Sequence, residues 1–190
     1  MATKNKAVKK PGASRVVSKK SNAVKPIALD LPRIGAPWPG QAGNFVGIVR
    51  GEKGQPDYGL VVPTHKSAKL KGAYGPIARV AAAESEYDGL ANTQAMAAAG
   101  SDIAKRVLAL EISDHADFYI PSRREARLAQ INAPELFEDA YHWTSTQCRA
   151  DSDYAWAQRF GDGVQGGYRK GSEFAVRPVR RVSFSNSTIR

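Results

Sequence analysis

Alternating apolar and polar residues predict three strands in the last third of the chain. They cover 141–147, 154–160 and 174–182, and turn-forming sequences separate them. They carry most of the large apolar side chains of this region, which are Trp143, Trp156, Phe160, Phe174 and Val176. We expect these side chains to form one core. Alternation along 154–160 predicts that the even-numbered side chains point inward and that the odd-numbered ones point outward.

The first two thirds of the chain combine a hairpin pattern with helical periodicity. Asp88 is a predicted helix cap, and Ser122 has a glutamate three residues later, Glu125, which is the spacing of a capping box. The predicted elements are strands at 45–50 and 58–62 joined by a polar turn, helices over 77–87 and 88–110 with a break at 100–102 in the second, a short strand at 117–121 and a helix over 123–131.

The net charge of +10 is concentrated at the beginning of the chain. Residues 1–25 contain seven lysines and one arginine without an acidic residue, which leaves 20 basic and 18 acidic residues in the rest. This segment also lacks aromatic residues and hydrophobic periodicity, so we expect it to be disordered. The sequence predicts a disordered basic tail and lead-in over 1–33, one domain over 34–184 and a short C-terminal tail over 185–190.

The basic tail has two interpretations. It could be an arm that contacts an acidic partner such as nucleic acid, or a solubilising linker, which the absence of aromatic residues for base stacking favours. No apolar run follows the lysines as in a secretory signal peptide, and no stretch reaches transmembrane length. We therefore expect no membrane insertion and a protein that is cytoplasmic when synthesised, with virion association as a further expectation.

Six ordered motifs resemble the Lcl C-terminal domain family, which is named for part of a bacterial collagen-like adhesin and is frequent in phage and prophage proteins. At 118–121 the chain has Phe-Tyr-Ile-Pro where the family usually has Trp-Tyr-Leu-Pro, and at 142–146 it has His-Trp-Thr-Ser-Thr for Tyr-Trp-Ser-Ser-Thr. The resemblance extends over about 34–182 and rests on the stretches 44–51, 88–101, 117–125, 142–147, 155–163 and 176–181.

The resemblance implies an α+β, C-type-lectin-like fold that is also similar to the formylglycine-generating enzyme. Such a fold has a small twisted antiparallel sheet, two or three helices and long loops. Some relatives are adhesins, and others are phage proteins whose loops bind receptors. The implied function is therefore non-enzymatic recognition of a cell-surface glycan or protein. The alternative is a virion or nucleoid-associated structural protein whose tail, residues 1–25, contacts nucleic acid.

Catalytic and metal-binding chemistry is weakly indicated. Asp151, Asp153 and Asp162 could supply oxygen ligands for calcium, but the favoured interpretation is three solvated loop carboxylates. Cys148 is the only cysteine, so the paired cysteines of the formylglycine-generating enzyme are absent. His142 lies six residues from Cys148, but on a strand that need not direct it toward the thiol. We expect no cofactor, no metal and no enzymatic activity.

Two loops, 147–154 and 161–172, are the predicted binding surface. Tyrosine and arginine make strong interface contacts, although composition alone is equally consistent with an ordinary polar rim. We expect Arg149, Arg159, Tyr168 and Arg169 to form one exposed patch. An arginine can bind a carboxylate or sulfate with two parallel hydrogen bonds, so an acidic surface glycan is one plausible target among cell-surface glycans and proteins. Two further candidate ligand-binding residues of this region are Asp153 and Gln165.

Overall fold

The computed structural model describes residues 31–184, which form an α+β arrangement of two sheets and three α-helices. The predicted basic tail within 1–25 and the C-terminal tail at 185–190 lie outside the described residues. None of the helices formed by residues 31–184 is long and apolar enough to cross a bilayer. The helices are α1 (Gly89–Ala98), α2 (Asp102–Leu108) and α3 (Arg123–Asn132).

Nine strands form the two sheets. The first sheet is antiparallel and has the order β1-β2-β3-β9, whereas the second has the order β4-β8-β5-β6-β7 and is antiparallel except where β5 meets β8. The strands are β1 (Pro37–Trp38), β2 (Gly43–Val49), β3 (Tyr58–Val62), β4 (Leu70–Ala73), β5 (Tyr141–Gln147), β6 (Tyr154–Arg159), β7 (Gln165–Arg169), β8 (Glu173–Val176) and β9 (Arg180–Ser183).

Local sequence signals placed several elements correctly. The predicted hairpin is formed by β2 and β3, and Asp88 caps α1 through the backbone N–H of Ala91. The capping box at the start of α3 is confirmed, because Ser122 Oγ accepts from the Glu125 N–H at 3.3 Å while Glu125 Oε2 accepts from the Ser122 N–H at 2.7 Å. The two capping signals act within one helical turn, and the hairpin joins strands that are neighbours in the chain.

Three predicted elements differ from the structure. Only a short 3-10 turn, Ala81–Ala83, occurs where a helix over 77–87 was expected. The expected strand at 117–121 contributes a single bridge, between Tyr119 and Val179. The expected strand over 174–182 is divided into β8 and β9, which belong to different sheets. Pro178 lies at the division, where its missing N–H prevents a continuous ladder.

The predicted single core is wrong, because the apolar residues form two clusters. Trp143 and Val176 belong to the first cluster, and Phe174 packs against it. Phe160 belongs to the second, which lies beneath the first sheet and α3. Trp156 belongs to neither cluster. The first cluster also contains Tyr74, Met96, Ile103, Phe118 and Ile120, and the second also contains Val46, Leu60, Val62, Tyr119 and Val179.

The alternation along β6 predicted that Ala155 and Ala157 face outward, but in the structure both are buried. Ala157 lies directly opposite Trp143 in the register of β5 and β6, so both side chains are on the same face. Ala155 and Ala157 are buried in the first cluster, and Trp156 points to the opposite face, toward α3. Both faces of this sheet are covered, so alternation alone could not identify the side on which Trp143 lies.

A buried carboxylate connects the first sheet and the segment around Tyr119 to α3. Glu125 has no solvent exposure, and its Oε1 accepts hydrogen bonds from the hydroxyls of Tyr58 at 2.7 Å and Tyr119 at 2.6 Å. The guanidinium of Arg181 lies 3.9 Å from the same oxygen and donates to Asp88 at 2.7 Å. Burial and the neighbouring Glu125 carboxylate raise the pKa of both tyrosines, so both hydroxyls remain protonated donors.

Replacing Trp143 with alanine tests the first cluster. The indole is 1% exposed, and its Nε1 donates to the Gly72 carbonyl at 3.0 Å. Because the change leaves a cavity and an unpaired carbonyl, Trp143→Ala should lower the free energy of unfolding by about 3–5 kcal/mol. Urea denaturation measures the loss, with exposed Ile77→Ala as the control. A loss below about 1 kcal/mol would contradict the burial of Trp143.

His142 should make the stability pH-dependent. Burial lowers the pKa of His142 below its ordinary value of 6.5, although the Ala140 carbonyl and Glu138 oppose this shift. The unfolded state therefore binds more protons, and stability falls as the pH decreases through about 6.5 to the lowered pKa, by at most about 1.4 kcal/mol per pH unit. Urea denaturation between about pH 7 and pH 5 measures this loss, which should be smaller in His142→Gln. Equal slopes for the two proteins would contradict it.

Candidate ligand-binding groove

The four residues expected to form one patch lie on opposite faces of the second sheet. Tyr168 lies opposite Ala155, so it is on the face of the first cluster, where Arg159 also lies. Arg169 lies opposite Tyr154 and is therefore on the other face. Arg149 follows β5 and is 73% exposed, with an ion pair to Glu84. The single-patch prediction is wrong, because a five-stranded sheet separates the two pairs.

Arg159 and Tyr168 have local partners. The Arg159 guanidinium forms ion pairs with Asp139 at 3.3 Å and Asp162 at 3.2 Å. The Tyr168 ring packs against Tyr141, with 4.7 Å between ring centroids, and against Phe174 at 5.2 Å. The Tyr141 hydroxyl and burial raise the pKa of Tyr168 to about 12. These contacts give both side chains a role in packing the sheet face.

Gln165 and Asp153 take part in hydrogen bonds within the protein. The Gln165 side chain accepts from Arg123 Nε at 3.1 Å and donates to the Arg123 carbonyl at 2.9 Å. The backbone N–H of Asp153 donates to Asp151 Oδ1 at 2.9 Å, and its carbonyl accepts from the Lys170 N–H. Within residues 31–184, no three His, Cys, Asp or Glu side chains are arranged to hold a metal ion.

An open groove of about 440 Å³ runs beside Trp156. One wall is the segment 84–86, and the other is the loop that follows β5. The bulge in β5 between Trp143 and Gln147 displaces the strand from regular pairing here. Gly167 lies opposite Trp156 across the β6–β7 ladder, so no side chain fills the space beside the indole. The groove is lined by Glu84, Glu86, Thr146, Gln147, Cys148, Arg149, Ala150, Asp151, Tyr154, Trp156 and Gly167.

Arg123 holds the indole of Trp156 in position. Its guanidinium carbon lies 3.6 Å from the ring centroid, which is a close cation–π contact. The same guanidinium donates to Glu86 at 2.9 Å and to Gln165. Because Arg123 is in the first turn of α3, the capping box indirectly positions the aromatic wall of the groove.

The walls carry both signs of charge. Glu84 pairs with Arg79 at 2.9 Å and lies 3.9 Å from Arg149, whereas Glu86 pairs with Arg123. At the floor, Thr146 Oγ1 donates to the Ser85 carbonyl at 2.8 Å and accepts from the Arg123 N–H at 3.0 Å. These bonds tie the 84–86 wall to β5 and α3. The groove therefore presents hydrogen-bonding groups around an aromatic side chain.

Lys170 is behind the groove rather than at a binding surface. The side chain is fully buried, and its ammonium donates to Gln147 Oε1 at 2.7 Å and to the Ala78 carbonyl at 2.5 Å. Burial lowers the pKa of Lys170, whereas Asp153, Cys148 and Asp151 oppose this shift. The Val80 N–H also donates to Gln147 Oε1, at 2.8 Å. This network fixes the start of the loop that carries Arg149.

Cys148 lines the groove without an adjacent histidine base. Burial raises the pKa of its thiol, which disfavours the nucleophilic thiolate. Both ring nitrogens of His142 have other partners, namely the Ala140 carbonyl at 3.0 Å and Glu138 at 3.2 Å. The Cys–His pairing considered from the sequence is therefore not formed.

No family model matches this chain, and no curated protein matches its sequence. The resemblance to the Lcl C-terminal domain family therefore stays a prediction.

Sequence reasoning missed several groove residues. It assigned Trp156 to the core and gave no role to Glu84, Glu86 or Arg123. One available signal was the pair of arginines directly after the cap Ser122, because basic residues are disfavoured in the first turn of a helix. Arginines at such positions are expected to have partners outside the helix, as Arg123 has in Glu86 and Trp156.

Single alanine substitutions should separate packing residues from groove residues. Tyr168→Ala removes contacts with Tyr141 and Phe174, so it should lower the free energy of unfolding by about 1–3 kcal/mol. Arg149→Ala removes an exposed side chain and should change it by less than about 0.5 kcal/mol. Urea denaturation measures both. Equal, small losses would contradict the packing role of Tyr168.

Proposed function

We propose that the protein is a non-enzymatic recognition module that binds a cell-surface glycan through the groove beside Trp156. The ligand engages the indole and the wall residues Glu84, Glu86 and Arg149. Of the residues expected from the sequence, Arg149 keeps a direct role in this proposal, whereas Arg159 and Tyr168 do not. Arg169, Asp153 and Gln165 support or flank the groove.

The observation that carries this proposal is the placement of Trp156. A large aromatic side chain lines a groove instead of joining either apolar cluster, and a guanidinium 3.6 Å from the ring centroid holds it there. An indole packs well against the C–H face of a sugar ring, and nearby carboxylates and guanidinium groups can hydrogen-bond the hydroxyls. The volume of about 440 Å³ is within the usual range for small-ligand sites.

The wider assignment follows the same proposal. The α+β architecture is compatible with a C-type-lectin-like fold, in which loops on a small twisted sheet carry the ligand. We propose that the chain is a phage- or prophage-derived recognition protein of the Lcl C-terminal type, which the ordered sequence motifs support. The raised pKa of the Cys148 thiol and the hydrogen bonds of His142 to Ala140 and Glu138 support a binding role over a catalytic one.

A glycan array and whole-cell binding assays on the full chain test the proposal. A glycan that binds should change the fluorescence of Trp156, and Trp156→Ala should weaken binding by roughly tenfold or more, because a stacked aromatic contact is lost. Gly167→Thr provides a second variant, since a Cβ at this position would already lie 3.1 Å from Cys148 Sγ and would narrow the groove.

Two controls make the result interpretable. Ile77→Ala removes an exposed apolar side chain outside the groove and should bind like the unmodified protein. Melting temperatures identify any variant that loses binding by unfolding. Normal cell-surface binding by folded Trp156→Ala and Gly167→Thr proteins would rule out the groove as the binding site.

The second candidate function is nucleic-acid contact by the basic tail. The observation that favours it is the concentration of eight basic residues, without an acidic one, in 1–25. DNA retention that weakens steeply with salt and disappears when residues 1–25 are deleted would support a virion or nucleoid-associated role. DNA retention that survives the deletion would contradict it.

A further inference from the structure

A second cleft lies on the other side of the wall that bounds the groove. Its volume is about 310 Å³, and it is formed by the turn between β2 and β3, the start of α1 and β9. We call the segment 84–88 the ridge, because Glu84 and Glu86 line the groove whereas Ser85, Tyr87 and Asp88 line the second cleft. The cleft is also lined by Arg50, Gly51, Glu52, Lys53, Gln55, Tyr58, Ala91 and Arg181.

Arg50, Lys53 and Arg181 bring three positive charges to this cleft from two parts of the chain. Its two carboxylates already have cationic partners, since Asp88 pairs with Arg181 at 2.7 Å and Glu52 pairs with Arg124 at 3.7 Å. Within residues 31–184, neither Arg50 nor Lys53 forms an ion pair. Both therefore contribute unneutralised positive charge to the cleft.

The turn that carries these two cations is held by specific contacts. The Gly51 N–H donates to Asp57 Oδ1 at 2.8 Å, and the Gln55 N–H donates to the Glu52 carbonyl at 3.1 Å. A side chain at Gly51 would collide with the Gln55 backbone, so the turn closes tightly there. Lys53 has a φ of 53°, a left-handed conformation that is uncommon for lysine. The turn therefore fixes the backbone from which both side chains extend.

The opposite wall adds a rigid aromatic surface and a hydroxyl donor. The Tyr87 ring is covered by the Arg124 guanidinium at 3.9 Å. Ser85 Oγ accepts from the N–H groups of Tyr87 and Asp88, which leaves its hydroxyl hydrogen to donate into the cleft. Arg181 is fixed between the rings of Tyr58 and Tyr119, 4.9 Å from each.

From this arrangement we infer that the second cleft binds an oxyanion, a carboxylate or a phosphate monoester carried on a small polar molecule. Arg50 and Lys53 supply charge-assisted hydrogen bonds, which are stronger than neutral ones, and Ser85 supplies a neutral donor. This site is separate from the groove and does not depend on the proposed glycan binding.

Residue-resolved NMR on the full chain tests this inference, with glucuronate, glucose 6-phosphate and glucose as probes. The two anions should shift the backbone amides of Gly51, Lys53 and Gly54, and glucose should not. A response to glucuronate alone identifies a carboxylate site, and a response to glucose 6-phosphate alone identifies a phosphate site. Resolving individual amides separates the cleft from anion binding by the basic residues of 1–25.

A charge-matched pair of variants decides the role of the cations. Arg50→Gln with Lys53→Asn removes both, and asparagine tolerates the left-handed backbone at position 53. This double variant should bind the anions roughly tenfold more weakly or worse, because two charge-assisted hydrogen bonds are lost. The control, Lys66→Asn with Lys105→Gln, removes two exposed lysines elsewhere and should change the dissociation constant less than about twofold.

Three outcomes would overturn the inference. One is the absence of shifts in the turn amides with either anion. Another is an equal response to glucose, which would show that charge is not recognised. The third is equal weakening of anion binding by the two double variants, which would show that the loss of affinity comes from the lower net charge and not from the cleft.

Discussion

A single buried carboxylate, Glu125, is the interaction on which the rest of the structure depends. Its oxygens accept hydrogen bonds from three groups, which are the Ser122 N–H and the hydroxyls of Tyr58 and Tyr119. The guanidinium of Arg181, which pairs with Asp88, lies 3.9 Å from the same carboxylate. Gly89 is part of this packing, because a Cβ there would lie 2.4 Å from Glu125 Oε2. A carboxyl group without solvent exposure is tolerated when its oxygens accept hydrogen bonds in this way.

Glu125 also sets the geometry of both surface sites through α3. Because it fixes the first turn of that helix, Arg123 and Arg124 leave the helix at defined positions on either side of the ridge. Arg123 reaches Glu86 and Trp156 on the groove side, and Arg124 reaches Tyr87 and Glu52 on the side of the second cleft. The capping box at the start of α3 therefore contributes both to the packing around Glu125 and to the shape of the groove and the second cleft.

The parts of the fold that could be predicted from sequence depend on near neighbours in the chain. The capping box and the Asp88 cap each follow from residues three positions apart, and the β2–β3 hairpin joins two strands that are consecutive in the chain. Which way Trp156 points depended on the pairing of β5 with β6, a contact between separate strands that one strand's alternation does not encode. Both faces of the second sheet are covered by other parts of the protein. The strand therefore has no fully polar face that would show the direction of the Trp156 side chain. The candidate site was predicted in part, because its loop was identified from composition whereas its opposite wall, 84–86, is about sixty residues away.

The ridge would couple the two proposed binding sites to each other. Its residues alternate between them, and its backbone is tied to β5 through Thr146 and to α3 through the Arg124 N–H and Glu86 carbonyl. A ligand that shifts this segment on one side changes the shape presented on the other. Linkage then requires that an occupant of the groove alter the affinity of the cleft by the same factor as an occupant of the cleft alters that of the groove. The five residues of the ridge would thus make the ligand affinity of each site depend on whether the other site is occupied.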